Sequence, residues 1–248
     1  MAQSLLDGED DPAIVVNEGG KSPYVLVCEH AGNRIPQKLG TLGLSGADLE
    51  RHIAWDIGAE QVSRVLSRLL DATLVMQRYS RLVYDCNRPP EAADAIPVMS
   101  ETTAIPGNAS LSPADRFARL SEICRPFHEA VTRVLDQRAA YGVAAKLVTI
   151  HSFTKVYKGK TRDVQLGFLH DRDSYLGGRL VKSFPGVDAR LNEPYAPKDG
   201  VLHTVNLHAA PRGIKSVMIE IRNDLISNER GQNEWAQRLS VPLIQAAN

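Results

Sequence analysis

One short run constrains the fold of this chain more than any other. Val217-Met218-Ile219-Glu220-Ile221 is apolar at every position but one. Runs of that kind are buried on both faces, as in strands at the middle of a sheet covered by helices. Tyr24-Val-Leu-Val-Cys28 and Lys146-Leu-Val-Thr-Ile150 are also strand-like, and Leu74-Val-Met76, Leu82-Val-Tyr84 and Val164–Leu169 read as further strands. Between them lie helical patterns. From Asp56 to Leu70 the apolar residues Val62, Val65, Leu66, Leu69 and Leu70 form one stripe. Ser112-Pro113-Ala114-Asp115 announces a second helix, with Ser as N-cap and Pro at the first position, whose stripe runs from Phe117 through Leu135 with a kink at Pro126 and a stop at Gly142. Helices are also expected near Tyr175–Lys182 and Glu234–Leu239. This alternation predicts a three-layer α/β sandwich around a largely parallel sheet. No linker divides the 248 residues, so a single domain is expected, with about residues 1–12 as a mobile tail.

Composition narrows the function. Lysine plus arginine equals aspartate plus glutamate at 29 each, so no global field recruits nucleic acid or an anionic membrane. Three widely spaced cysteines make neither a disulfide framework nor a C-x-x-C knuckle. The acidic start lacks the pattern of a signal peptide, and no apolar run is long enough to span a bilayer. A cytoplasmic protein is expected.

Several apolar runs end on a chemically capable residue: Val-Leu-Val-Cys-Glu29-His30 and Leu-Val-Thr-Ile-His151. In open α/β sheets, sites gather beyond the carboxyl ends of strands, so both imidazoles are expected at one rim. Each His can equally be satisfying a turn. Glu220 would be costly in a buried strand unless paired or metal-associated, whereas an edge strand would leave it in water. Asp85, Asn87 and Arg88 follow Leu82–Tyr84 in a locally basic segment with Arg78 and Arg81, suited to a carboxylate but equally readable as a solvated loop. Asp56 stands at a helix start, where capping is its default role. The segment Pro97–Ser112 reads as a loop able to cover a site.

Taken together, Cys-Glu-His30-Ala-Gly-Asn-Arg-Ile-Pro, Trp-Asp56-Ile-Gly-Ala, Tyr-Ser-Arg81-Leu-Val-Tyr-Asp-Cys-Asn87-Arg88-Pro-Pro, Thr-Ile-His151-Ser-Phe-Thr and Ile-Glu220-Ile-Arg-Asn-Asp-Leu resemble the N-formylglutamate amidohydrolase family. The resemblance implies a mixed sheet of zinc carboxypeptidase-like fold, related to aspartoacylase-like deacylases. It implies Zn2+ or another divalent metal held by His30, Asp56 and His151, with Glu29 the rival to Asp56 as third ligand. It further implies Glu220 as general base, Arg81 polarising the scissile carbonyl, and Asn87 with Arg88 holding a substrate carboxylate. The expected substrate is a small N-acyl amino acid cleaved by a metal-activated water. Where family members usually show Pro-His-Ser-Gly, this chain has Glu29-His30-Ala31-Gly32. Gly167–Asp171 and Asn192–Tyr195 are expected as pocket walls, and the stretch holding His203 and His208 as a lid. Two alternatives stand beside this reading: a Cys28 or Cys86 nucleophile paired with histidine, and a carboxylate-binding protein without turnover.

Overall fold

In the computed structural model, which describes residues 4–247, the three apolar runs become adjacent interior strands. The strands of the main sheet are β1 (Ala13–Val16), β2 (Tyr24–Cys28), β3 (Thr73–Gln77), β4 (Lys146–Phe153), β5 (Leu166–Leu169), β6 (Ala189–Leu191) and β7 (Ser216–Arg222). Their order across the sheet is β1-β3-β2-β4-β7-β5-β6. The pairs β3–β2, β2–β4, β4–β7 and β5–β6 are parallel, whereas β1–β3 and β7–β5 are antiparallel. The sheet is therefore mixed. Because β7 lies between β4 and β5, Glu220 is on an interior strand and not on a wet edge.

Helices α1 (Gly46–Leu49), α2 (Ala59–Leu70), α3 (Pro113–Arg119), α4 (Arg125–Ala140), α5 (Tyr175–Leu180), α6 (His203–His208) and α7 (Glu229–Gln245) complete the layers. Strand side chains alternate between two cores. Tyr24, Leu26 and Cys28, Val148 and Ile150, and Val217, Ile219 and Ile221 pack with α2, α5 and α7. Val25, Val27 and Leu147 pack with α4 on the opposite face, and Met218 packs there with Val205 of α6. The period of two then turns His151 and Glu220 toward this second face together.

Three local expectations differ from the structure. Leu82–Tyr84 is a buried turn and not a strand: Val83 N donates to Ser80 O, while Asn108 Nδ2 and Arg119 Nη1 bond the carbonyls of Leu82 and Val83. Three apolar residues cannot distinguish these outcomes. Around Pro126 the chain inserts a π-helical turn, Leu120–Cys124. The wider turn accommodates the missing N–H and shifts the helix phase, so Phe117 of α3 ends up exposed. Of the expected tail, residues 1–3 lie outside the described residues. The next residues pack on the protein: Leu5 is buried, and Ser4 Oγ and Leu6 N bond Glu122. Strands β1 and β6 were not legible in the sequence, being short and only partly buried.

Gly58 caps α2 with a left-handed φ of 80°, and a Cβ there would lie 2.2 Å from Ile226 O. Gly58→Ala should therefore cost about 2–4 kcal/mol, from backbone strain plus overpacking. Urea unfolding measures this; an unchanged midpoint would show that the turn before α2 relaxes freely.

Candidate metal centre and active-site cleft

The site forms where β2, β4 and β7 present polar residues on the second face. His30 lies just beyond β2, whereas His151 lies inside β4, which runs on to Phe153. Across the β4–β7 ladder Glu220 is the register partner of His151. Asp56 arrives from the turn before α2, where Gly58 and not Asp56 is the N-cap. Asp56 N donates to His30 O at 2.9 Å, and Ser152 Oγ donates to Ile57 O at 2.9 Å, so contacts from just beyond β2 and from within β4 fix this turn.

Asp56 Oδ2 is the convergence point. His30 Nδ1 lies 3.3 Å from it, His151 Nδ1 2.9 Å, and Ser152 N donates to it at 3.2 Å. All three side chains are buried. The outer imidazole nitrogens meet carboxylates: His30 Nε2 is 2.7 Å from Asp85 Oδ1, and His151 Nε2 is 3.0 Å from Glu29 Oε2. The second contact lies within ion-pair range but is misaligned for a hydrogen bond, leaving both atoms buried without a hydrogen-bond partner. Glu29 thus stands behind His151, and among the described residues His30, Asp56 and His151 form a group that could hold a metal, with donor atoms within 4.8 Å of one another.

The chemistry of these donors fits a cation. With the outer nitrogens protonated toward Asp85 and Glu29, each imidazole directs its Nδ1 lone pair at Asp56, and three acceptors face one another. Carboxylates behind metal-binding imidazoles fix the tautomer in this way. Without a metal, protons take its place. Burial opposes charge on every group here. Even so, Glu29 and Asp56 hold the His151 pKa well above the ordinary value, and Asp85 and Asp56 raise that of His30 against burial and Arg81. Against the same burial, His30 and His151 lower the Asp56 pKa, and Arg81 and His30 hold Asp85 well below its usual range.

Glu220 behaves differently. Burial pushes its pKa up to about 7, and its Oε2 has no hydrogen-bond partner. Gly167 of β5 allows this crowding: a Cβ there would lie 2.0 Å from Glu193 O and 3.2 Å from the Glu220 Cβ.

His30, Asp56, His151 and Glu220 line one cleft with Arg81, Asn87 and Arg88, whereas Glu29 and the expected wall Gly167–Asp171 do not reach its lining. Arg81, Asn87 and Arg88 differ in freedom. Arg81 bonds Asp85 Oδ2 at 2.6 Å and Asp56 Oδ1 at 3.4 Å, with 27% of its side chain exposed. Asn87 is stapled at both ends of its amide, donating to Val201 O and accepting from Thr204 N. Arg88 holds Asp94 through Nε and two carbonyls through Nη1, bonds that leave its Nη2 out.

Other expectations divide. Tyr195 and the segment Ser100–Glu101 do line the cleft. His203 and His208 form no lid: His208 is buried and lies 2.9 Å from His128 Nδ1, and the His203 ring stacks edge-on to His128. Cys28 packs in the opposite core and the Cys86 thiol accepts from Gln77, and burial raises both thiol pKa values, as suits packing rather than nucleophilic residues. The sequence reading missed His52, Ile53 and Tyr157 in the cleft wall. None carries a local signal, although His52 and Ile53 closely precede Asp56 and Tyr157 closely follows His151, because neither stretch shows an apolar periodicity that marks a cleft wall.

A family model for N-formylglutamate amidohydrolase matches residues 22–227. The chain belongs to the N-formylglutamate amidohydrolase family. Its structure is similar to that of the gene product Atu2144 from Agrobacterium tumefaciens, at TM-score 0.95 and 50% identity, covering 97% of this chain and 96% of that one. It is also similar in fold to an N-formylglutamate amidohydrolase from Ralstonia eutropha JMP134, at TM-score 0.69 and 19% identity, covering 96% of this chain and 97% of that one. No curated protein matches it. Among the described residues no helix is long and apolar enough to cross a membrane.

Glu220 has a raised pKa. Its protonated form is favoured in the folded state, so the associated stability is full below about 4.5 and is lost as pH rises through about 7. Glu220→Gln removes this titration while the other buried groups remain. In chelator, the melting temperature of the wild type relative to Glu220→Gln should therefore fall between pH 5 and 8; a constant difference would place Glu220 in contact with water.

Proposed function

We propose that the protein is a metal-dependent amidohydrolase that cleaves the amide of a small N-acyl amino acid of the N-formylglutamate type, using His30, Asp56 and His151 as metal ligands. The observation that carries this reading is the convergence of three buried acceptors beside a buried, unpartnered carboxylate on the neighbouring strand. Two imidazoles and one carboxylate are a catalytic zinc set. When bound, a divalent ion would supply Lewis acidity to the amide carbonyl and to the attacking water.

The chain's own groups do the rest. Glu220, with a pKa near neutrality, accepts a proton from the attacking water and returns it to the departing nitrogen. The C–N bond breaks, the acyl carbon takes the hydroxyl, and a carboxylic acid and an amine result. Arg81 offers positive charge to the oxygen of the tetrahedral state while Asp85 and Asp56 hold its guanidinium in place. Arg88, through its remaining Nη2, and Asn87, through its second amide hydrogen, orient the substrate carboxylate. Glu29 and Asp85 act as orienting groups behind His151 and His30.

Protein purified without chelators should contain one equivalent of metal and hydrolyse N-formyl-L-glutamate; verified metal removal should abolish turnover, and zinc should restore it. Glu220→Gln should lower kcat by roughly 10²–10⁴ with little change in the directly measured substrate dissociation constant. Full activity after metal removal would sink the metal assignment, and near wild-type kcat in Glu220→Gln would require another base.

A further inference from the structure

Two small hairpins flank the cleft, Met99–Ser100 with Thr103–Ala104 and Val156–Tyr157 with Lys160–Thr161. Ser100 and Glu101 from the first and Tyr157 from the second line it, as do His52 and Ile53 from a third segment. All three segments meet on one side chain. Glu101 Oε1 accepts from Lys158 N, at the tip of the second hairpin, at 3.0 Å. Glu101 Oε2 accepts from Arg51 Nη2 at 3.4 Å and lies 3.2 Å from His52 Nε2. Arg51 Nη1 in turn donates to Thr103 Oγ1 at 2.9 Å, tying the third segment to the far strand of the first hairpin.

The backbone marks this residue as well. Glu101 has φ 54°, a left-handed conformation that hairpin tips normally give to glycine or asparagine. A glycine would relieve the backbone but make none of these contacts. Lys158, at φ 49°, meets Glu101 tip to tip. The proposed metal-facing residues lie buried below, and the two hairpins carry Ser100, Glu101 and Tyr157 into the cleft wall above them.

We propose that Glu101 is a specificity-determining residue: its carboxylate locks three separate segments into the outer wall that limits the size of the substrate admitted. The substrate class rests on the amidohydrolase reading above, whereas the lock itself does not. With the lock intact the cleft admits a small acyl amino acid. With it broken the hairpins separate, and the widened cleft admits a longer acyl chain or larger side chain.

The test uses full-length wild type, Glu101→Gln and Glu101→Ala. Gln keeps the acceptor for Lys158 N but loses the charge facing Arg51 and His52; Ala loses everything. In ligand-free protein, amide hydrogen exchange in residues 99–104 and 156–161 should rise together by about tenfold or more in Glu101→Ala, and less in Glu101→Gln. The second readout is a substrate ladder: N-acyl-glutamates from formyl to hexanoyl, and N-formyl amino acids from alanine to phenylalanine. In Glu101→Ala the ratio of kcat/KM for the largest against the smallest member should rise about tenfold in at least one series, through KM, with kcat for the smallest nearly unchanged. Exchange that stays at the wild-type rate in either hairpin overturns the lock, and an unchanged size ratio in both series overturns the specificity role. If wild type hydrolyses no member, the amidohydrolase reading fails; the exchange experiment still decides the lock, and dissociation constants for the same ladders decide the size limit.

Discussion

Buried charge of one sign is the constraint on which this molecule depends. Glu29, Asp56, Asp85 and Glu220 lie within the protein around two imidazoles, and Arg81 is the guanidinium that reaches among them. Carboxylates in such surroundings persist only when paired, protonated or bound to a cation. The structure supplies part of the balance through Arg81, part through protons on the histidines and part through the raised pKa of Glu220. A divalent ion at the proposed centre would replace those protons, and its uptake would then release them.

Holding this cluster together requires a rigid frame, which the sheet provides. The β4–β7 ladder sets His151 against Glu220, and the parity of side chains turns both away from the core under α2, α5 and α7. Asp56 comes from outside the sheet, yet its turn is tied to His30 O and Ser152. The sheet and the turn tied to it thus position the proposed metal ligands and base, whereas the outer wall is carried by small hairpins. This division separates the parts that must stay fixed from the part that decides what enters.

Much of this was legible in the sequence, for identifiable reasons. A charged residue inside an apolar strand, as at Glu220, and imidazoles following apolar runs, as at His30 and His151, are visible without coordinates because burial leaves a periodic trace. Asp56 was harder, since the sequence assigns an acid at a helix start to capping; the structure gives that cap to Gly58. The preference for Asp56 over Glu29 in the proposed ligand set rests on which imidazole nitrogen each carboxylate meets, a fact of side-chain direction with no counterpart in spacing. The turn at Leu82–Tyr84 imitates a strand because Asn108 and Arg119 satisfy carbonyls that a neighbouring strand would otherwise bind. Glu101 was invisible for a related reason: its partners come from segments some fifty positions away on either side.

The strand order also imposes a sequence of assembly. β7 lies between β4 and β5, both of which precede it in the chain. On the ribosome, residues 30, 56 and 151 emerge well before residue 220. A nascent chain that stops short of Ser216 thus carries every proposed metal-facing side chain but has a gap at the centre of its sheet, with no Glu220 to act on a water. Inserting the final central strand closes the sheet and delivers the proposed base in the same step, so closing the sheet and completing the proposed catalytic set are one event, with α7 still to pack over the core.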